Sequence, residues 1–530
     1  MNLDPTRRAP HAMVSSVDHL ATEAGVAMLR VGGTAADAAV ATSAVLAVTA
    51  PHMCGMGGDL FALVHTAPGP PTCLNASGHA GSGADPGRLR ADGHSAMPFR
   101  GDVRSAPVPG CVDGWLALHD RYGRLPLADV LAPAIDYAGH GFPAAPLLSL
   151  ATLLLAGVPG TGDLTDPHPG PGDRVTRPGV ARQLRAIVDG GRAAFYEGEF
   201  GAALLEVGAR DGGAEYTVDD LRTRHADWVE PLVVRTLGHD VWTVPAPSQG
   251  YLTLLGLAIA EGLHLPNEPD NGPEAGRWAH LLVESARAAA HDRGEVLFDG
   301  ADLAPLLEPA EVARRRATVD PDRRTPHPGR TADGGTMFCC AADDEGHGVS
   351  LIQSNASGFG CHVAVGDTGI LLHNRGIGFS LEPGHPAEHS PGRRPPHTLS
   401  PALVTQPDGT LAALVGTMGG DSQPQILLQV LTRLLRHGAT PAAAVGAERW
   451  VLRGGADAGF DTWDDVTAQE VVVEGRDRTA WVEGLTERGH TVVTEAPGPR
   501  FGHAHVITAT PAGWAGAADP RAEVGSASGY

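Results

Sequence analysis

The sequence predicts an α+β protein whose two parts fold as one interlocked body. Segments with helical apolar spacing dominate before Thr336, whereas short apolar and β-branched runs dominate after it. The strand-rich part has too few helices to cover its own sheets, so it must pack against the first part. We therefore divide the chain into a helix-rich region, 1–335, and a strand-rich region, 336–530.

The predicted helices begin and end at recognisable signals. Asp18 can cap a first helix that Gly32-Gly33 ends, and an Ala-rich helix over 35–49 stops before Pro51. Glycine- and proline-rich stretches at 81–107, 156–180 and 317–335 predict loops. Further helices are predicted after Gly110, over 127–139, after Tyr216, after Gly250, and over 278–291, 424–436 and 441–447.

Strands are predicted mainly in the second part of the chain. Before Thr336 the clear candidates are 60–65 and 241–244. After it, strands are predicted at 338–342, 349–353, 369–372, 402–405, 411–415, 470–473, 491–494 and 503–508.

The charge pattern restricts the partners that this chain can bind. The 530 residues carry a formal charge of −22, and all 39 basic residues are arginine, so a lysine Schiff base and a P-loop lysine are excluded. The acidic balance disfavours nucleic acid and anionic membranes and favours a small-molecule substrate. Because neither a secretory signal nor a membrane-length apolar run is evident, a cytoplasmic protein is predicted, and a homodimer stays open.

The cysteines and histidines do not form a metal motif. None of the six cysteines forms a C-x-x-C pair, and no H-E-x-x-H motif occurs, so neither a metal nor another cofactor is expected. Adjacent Cys339 and Cys340 alternate faces of a predicted strand, which favours two small buried residues. Redox chemistry through these two thiols is the alternative.

The dipeptide Gly335-Thr336 is the strongest indication of chemistry. A loop of small residues ends at a threonine that opens an apolar strand. Cleavage between Gly335 and Thr336 would give the threonine a free α-amine, with a pKa of about 7.7–8.0, beside its own hydroxyl. One residue would then supply both nucleophile and base for acyl transfer. The alternative is an ordinary Gly-Gly-Thr turn before a strand.

Motifs along nearly the whole chain resemble the γ-glutamyltransferase family of N-terminal-nucleophile hydrolases. Their order and spacing, more than any one of them, carry the resemblance. They are Val17-Asp18, the run 32–40, Gly57-Gly58, Val108-Pro109-Gly110, Tyr122-Gly123, Pro247-Ser248, Asp343 with Gly346, Ser354, Phe359-Gly360, the run 369–372, Ser400-Pro401, Gly419-Gly420, Asp519-Pro520-Arg521 and Gly529-Tyr530.

This resemblance implies a fold and a set of catalytic residues. The fold is a four-layer αββα sandwich built from both chains of a precursor that cleaves itself at Gly335-Thr336. Thr336, ten residues before Gly346, matches the family's nucleophile. Gly419 and Gly420 match its oxyanion-hole pair, and Ser354 matches a hydroxyl that contacts the nucleophile. A plain turn and an ordinary strand-end serine are the respective alternatives.

The resemblance fails at the positions that bind the γ-glutamyl group in the family. The stretch that should supply a carboxylate-binding arginine is 74–80, which contains His79 and no arginine. Ala356, Arg375 and Gly378 replace the residues that bind the α-amine, and His397-Thr398 replaces a serine pair. Arg375 could bind a carboxylate, a keto acid or another acyl group. Alternatively, it is a surface arginine paired with Glu382 or Asp367.

Three functions remain open from the sequence. The first is a self-processing hydrolase or acyltransferase that acts on a small acyl substrate through Thr336 and binds it with Arg375, His397, Thr398 and His79. A variant within the family is C–C bond cleavage beside a carbonyl in an antibiotic pathway. The third is an uncleaved, inactive scaffold or binding protein.

Overall fold

A computed structural model describes residues 5–66, 68–210, 214–270, 272–325, 335–454, 469–475 and 479–530, and only the backbone of residues 335 and 336. Residues 326–334 of the predicted linker 317–335 therefore lie outside the described residues. Within the described part of the chain, no helix combines the length and the apolar character that crossing a membrane requires.

The helices follow the sequence signals closely, and Asp18 caps the first of them through its Oδ1, which accepts the Leu20 amide at 2.8 Å. The described helices are α1 His19–Arg30, α2 Ala35–Thr49, α3 Pro86–Ala91, α4 Cys111–Tyr122, α5 Leu127–His140, α6 Pro146–Thr152, α7 Gly162–Thr165, α8 Pro178–Tyr196, α9 Glu199–Gly208, α10 Val218–Arg222, α11 Tyr251–Glu261, α12 Ala275–Ala290, α13 Arg293–Val296, α14 Pro309–Arg316, α15 Gln423–Leu431, α16 Pro441–Gly446 and α17 Thr479–Glu487.

The strands come from both parts of the chain. They are β1 Arg7–Ala9, β2 Met13–Ser16, β3 Asp59–His65, β4 Thr72–Ala76, β5 Phe142–Pro143, β6 Arg174–Val175, β7 Asp227–Val229, β8 Leu232–Thr236, β9 His239–Thr243, β10 Gly335–Ala342, β11 Gly348–Ala356, β12 Ala402–Thr405, β13 Leu411–Thr417, β14 Trp450–Arg453, β15 Glu470–Glu474, β16 Thr491–Glu495, β17 Ala504–Thr510, β18 Gly513–Ala518 and β19 Ser526–Gly529.

Two large sheets interlock the regions on either side of residue 336. The first has the order β19-β2-β10-β11-β3-β4-β7 and the second has the order β1-β18-β17-β13-β12-β9-β8. Each sheet contains strands from 1–334 and strands from 335–530. The predicted interlocked body is therefore confirmed.

Three apolar cores separate four layers. Helices including α1, α2, α4, α5 and α8 pack on the outer face of the first sheet. The second sheet packs against α11, α12 and α15. A third core joins the inner faces of the two sheets. This arrangement confirms the expected αββα sandwich.

Cys339 and Cys340 show the alternation of β10 between these cores. Cys339 packs toward the helices and Cys340 toward the other sheet. Both thiols are free and buried, and burial raises the pKa of Cys339 to about 12. They are small core residues, as the alternation predicted, which leaves little support for redox chemistry.

Predicted and observed elements differ at several segments. Residues 369–372 form no strand, because the segment folds back on the residues just before it. The Leu372 amide donates to the Val363 carbonyl, and Leu371 forms an isolated bridge with Ala364. Gly366 and Gly369 adopt positive φ in the tight turn between them. The predicted helix over 424–436 is α15 followed by a π-helical turn over Thr432–Arg436. The loop predicted at 81–107 contains the short helix α3, capped by Asp85.

Gly416 of β13 packs tightly against the Phe338 ring of β10 in the other sheet. A Cβ atom on Gly416 would lie 2.2 Å from the Phe338 ring. We expect Gly416→Ala to lower the thermal unfolding midpoint, because overpacking a core costs about 1–3 kcal/mol. Gly446→Ala is the control, since a Cβ atom on Gly446 would have no neighbouring atom within 4 Å. Equal midpoints for the two variants would contradict this packing.

Candidate active site

The backbone of Thr336 lies beside an irregular stretch of β11. Gly335 pairs with Ala356 and Met337 pairs with Gln353, so both Ser354 and Asn355 stand opposite Thr336. Such a bulge interrupts regular pairing and redirects side chains. The predicted nucleophile therefore starts a strand in the centre of the first sheet. The Thr336 side chain lies outside what the structure describes.

Ser354 links this stretch of β11 to Arg375. The Ser354 Oγ accepts the Ala356 amide at 2.8 Å and lies 3.5 Å from Arg375 Nη2. Arg375 is only 2% exposed, on the short turn Arg375–Gly378. The interpretation of Arg375 as a surface residue is therefore wrong. Asn374, its neighbour, donates its amide to the Asn355 carbonyl at 3.2 Å and so ties this turn to β11.

The glycine pair lies where β13 ends. Gly419 and Gly420 have φ of 135° and 60°, conformations that a residue with a side chain rarely adopts. The turn leads directly into α15. Because Gly416 of β13 touches Phe338 of β10, this turn lies at the same end of the sandwich as Thr336.

One buried glutamine joins the glycine turn to the arginine. Gln249 Nε2 donates to the Gly420 carbonyl at 3.0 Å and to the Thr398 carbonyl at 3.1 Å. Thr398 Oγ1 in turn accepts from Arg375 Nη1 at 3.0 Å. Arg293 Nε donates to Gln249 Oε1 at 3.0 Å, which fixes the orientation of the amide.

His397 belongs to a second buried cluster directly behind Thr398. Its Nε2 lies 2.9 Å from Asp59 Oδ2, and its Nδ1 accepts the Leu399 amide at 3.3 Å. Burial, followed by the charge of Arg375, lowers the pKa of His397 to about 3. The neutral imidazole therefore donates to Asp59 at physiological pH. His397 contacts Asp59, and Thr398 is the member of the pair that contacts Arg375.

His79 stands apart from these contacts. Its Nδ1 lies 2.9 Å from His225 Nδ1, and burial lowers the pKa of His79 to about 3. The residue before it, Gly78, contacts the cluster of Asp59 and His397: the Gly78 amide donates to Asp59 Oδ1 at 2.8 Å. Its assignment to the substrate site stays a prediction.

The structure thus brings Ser354, Arg375, Thr398 and the glycine turn together around the start of β10. Sequence reasoning missed Gln249 and Asp59. The one feature of the sequence that could have indicated these two residues is a polar side chain between a turn and an apolar element. Many surface residues share that pattern, so it does not identify a site residue.

Known proteins resemble this chain over nearly its whole length. A family model described as Gamma-glutamyltranspeptidase matches residues 21–530. The glutathione hydrolase-like YwrD proenzyme of Bacillus subtilis is 37% identical over 525 residues, which cover 96% of this chain and 97% of the relative. The oxamate amidohydrolase proenzyme of Klebsiella pneumoniae is 34% identical over 538 residues, 98% of each chain.

A solved structure supports the same relationship. The cephalosporin acylase from Bacillus halodurans superposes with a TM-score of 0.90 at 31% identity, covering 100% of this chain and 98% of that one. The family match and the four-layer fold together confirm the resemblance drawn from the motifs. The chain belongs to the gamma-glutamyltranspeptidase family and is an enzyme of the N-terminal-nucleophile hydrolase and acyltransferase type.

Proposed function

We propose that this chain is a self-processing amide hydrolase for short acids that carry a carboxylate beside the scissile carbonyl. Cleavage at Gly335-Thr336 gives chains 1–335 and 336–530. The names of two relatives describe them as proenzymes, which supports this step. The freed Thr336 hydroxyl is the nucleophile and its α-amine is the base.

The position of Arg375 carries the proposal. Its guanidinium is buried within 3.5 Å of Ser354 Oγ, and Ser354 stands opposite the backbone of Thr336. A carboxylate bound to Arg375 therefore lies close to the reacting carbonyl, and the acyl group must be short. Arginine suits this task because its planar fork of donors matches a carboxylate.

The remaining residues have the following proposed roles. The backbone amides of Gly419 and Gly420 stabilise the oxyanion, an effect typically worth ~10²–10³ in rate per donor. Ser354 orients the nucleophile. Thr398 holds Arg375, and His397 and His79 line the site beside it.

Oxamate is the simplest substrate of this class, and a relative with 34% identity carries the name oxamate amidohydrolase. Thr336 Oγ attacks the amide carbonyl, the C–N bond breaks, and the α-amine transfers the hydroxyl proton to the departing ammonia. Water then cleaves the oxalyl ester, which releases oxalate and restores the hydroxyl. No cofactor enters either step.

A γ-glutamyl group fits this site poorly. Three carbon atoms separate its α-carboxylate from the reacting carbonyl, so a cation beside Ser354 is too close to bind it. We expect the processed protein to release ammonia from oxamate and to release little p-nitroaniline from γ-glutamyl-p-nitroanilide. Both rates are measured on the same preparation, with the cleaved fraction determined by denaturing electrophoresis.

Fast release of p-nitroaniline without ammonia from oxamate would refute this proposal. A single uncleaved chain without either activity would favour the scaffold alternative. C–C bond cleavage in an antibiotic pathway stays a prediction, and among the described contacts none favours it over amide hydrolysis.

A further inference from the structure

Asp59 is a buried carboxylate that joins three separate segments behind the active site. It opens β3, is 1% exposed, and pairs directly with Ser354 across the sheet. Its Oδ1 accepts the Gly78 amide at 2.8 Å. Its Oδ2 lies 2.9 Å from His397 Nε2 and 3.1 Å from His373 Nδ1. One side chain therefore contacts the segments that carry Gly78, His373 and His397.

His373 lies between Asp59 and a backbone carbonyl. Its Nε2 lies 2.9 Å from the Pro107 carbonyl, which only accepts, so Nε2 carries a proton. Its Nδ1 faces Asp59 Oδ2 at 3.1 Å. Burial alone would raise the pKa of Asp59, but the two histidines outweigh burial and hold that pKa well below its usual range. Substituting Asp59 therefore removes the group that both histidines face.

Both histidines lie next to the residues that would bind the substrate. His373 precedes Arg375 by two residues, and His397 precedes Thr398 directly. Arg375 and Thr398 hydrogen-bond to each other at 3.0 Å. The position of the guanidinium relative to Ser354 therefore depends on two short segments that Asp59 holds together.

We infer that Asp59 is a positioning residue that sets the carboxylate specificity of the site through His373 and His397. This inference rests on the proposed function, because it assumes that Arg375 binds the substrate carboxylate. Asp59 itself touches neither substrate nor reacting atoms. A displacement of about 1 Å in such a binding group can cost ~10²-fold in rate.

The test compares oxamate with oxamide, its uncharged analogue, in processed protein. We expect Asp59→Asn to lower kcat/KM for oxamate about 10–100-fold, mainly through KM, as expected for a misplaced binding group. The rate with oxamide should change less than about 3-fold, since that substrate has no carboxylate to misplace. A merely structural role would lower both rates together.

Asp343→Asn is the matched control. Asp343 is also a buried carboxylate that accepts backbone amides, from Ala35 at 2.9 Å and from His347 at 3.0 Å, at the far end of β10. Its substitution should leave the ratio of oxamate to oxamide activity unchanged. An equal change of this ratio in both variants would contradict the specific role of Asp59.

A second pair of variants covers the case in which Asp59→Asn does not fold. His397→Gln can still donate to Asp59 and should keep the oxamate preference, whereas His397→Leu should lose it. Equal preferences in these two variants would overturn the inference. If Arg375→Gln changes the preference and Asp59→Asn does not, only the inference fails. If the wild-type protein shows no oxamate preference, or Arg375→Gln leaves it intact, the proposed function fails as well.

Discussion

We expect the Thr336→Ala protein to remain one chain of 530 residues and to show no measurable turnover of oxamate. Without the hydroxyl no oxygen can attack the Gly335 carbonyl, so the N→O acyl shift that precedes cleavage cannot begin. The same change removes the proposed catalytic nucleophile, and losses of roughly 10⁴-fold or more in kcat are typical of such a deletion. Denaturing electrophoresis and an ammonia-release assay measure the two effects.

Thr336→Ser is the matched variant because it keeps a hydroxyl on the same backbone atom. It should still cleave, and N-terminal sequencing of its small chain should begin at residue 336. A Thr336→Ala protein that still splits at this bond would refute self-processing through this residue. An active wild-type protein whose only N-terminus is Met1 would do the same.

Local signals were sufficient to predict most of the fold. The Asp18 cap, the glycines after α1 and the Pro51 stop gave the bounds of α1 and α2. The alternation of Cys339 and Cys340 gave the two faces of β10. Segment 369–372 was mistaken for a strand because its apolar residues pair within a local turn, and periodicity cannot distinguish this from a sheet.

The site was harder to predict because its contacts join distant segments. Gln249 and Gly420 are separated by 171 positions, and His397 and Asp59 by 338. Nothing in the local sequence of Asp59 indicates that a strand-opening aspartate meets two histidines from the other region. The burial of Arg375 is likewise a property of the folded structure, and the sequence alone left open a surface arginine paired with Glu382 or Asp367.

The proposed charge balance of the site gives a physical reason for a substrate preference other than the γ-glutamyl group. The motifs at Thr336, Ser354 and the glycine turn resemble those of the family, whereas Arg375 departs from that resemblance. Placing a buried cation beside the nucleophile favours acyl groups with a nearby negative charge and disfavours those with a nearby ammonium. Specificity would then follow from one electrostatic change on an unchanged catalytic scaffold.

Arg375→Gln gives the most direct test of that change. We expect kcat/KM for oxamate to fall about 10²–10³-fold, because losing one partner of a buried, hydrogen-bonded charge pair costs about 2–5 kcal/mol. The rate with oxamide should fall less than the rate with oxamate, since oxamide offers the guanidinium no carboxylate to pair with. Arg375→Lys keeps the positive charge without the planar fork of donors. Its kcat/KM for oxamate should therefore lie between those of the wild type and Arg375→Gln.

Arg393→Gln controls for the loss of an arginine from the same neighbourhood, because Arg393 is exposed and donates to the Pro386 carbonyl at 2.9 Å. It should retain the wild-type ratio of oxamate to oxamide activity. The cleaved fraction is measured first for every variant, so that a failure of processing is not read as a failure of binding. Equal losses on both substrates in fully processed Arg375→Gln protein would show that Arg375 supports the site without binding the carboxylate, and the substrate class would have to be assigned to other residues.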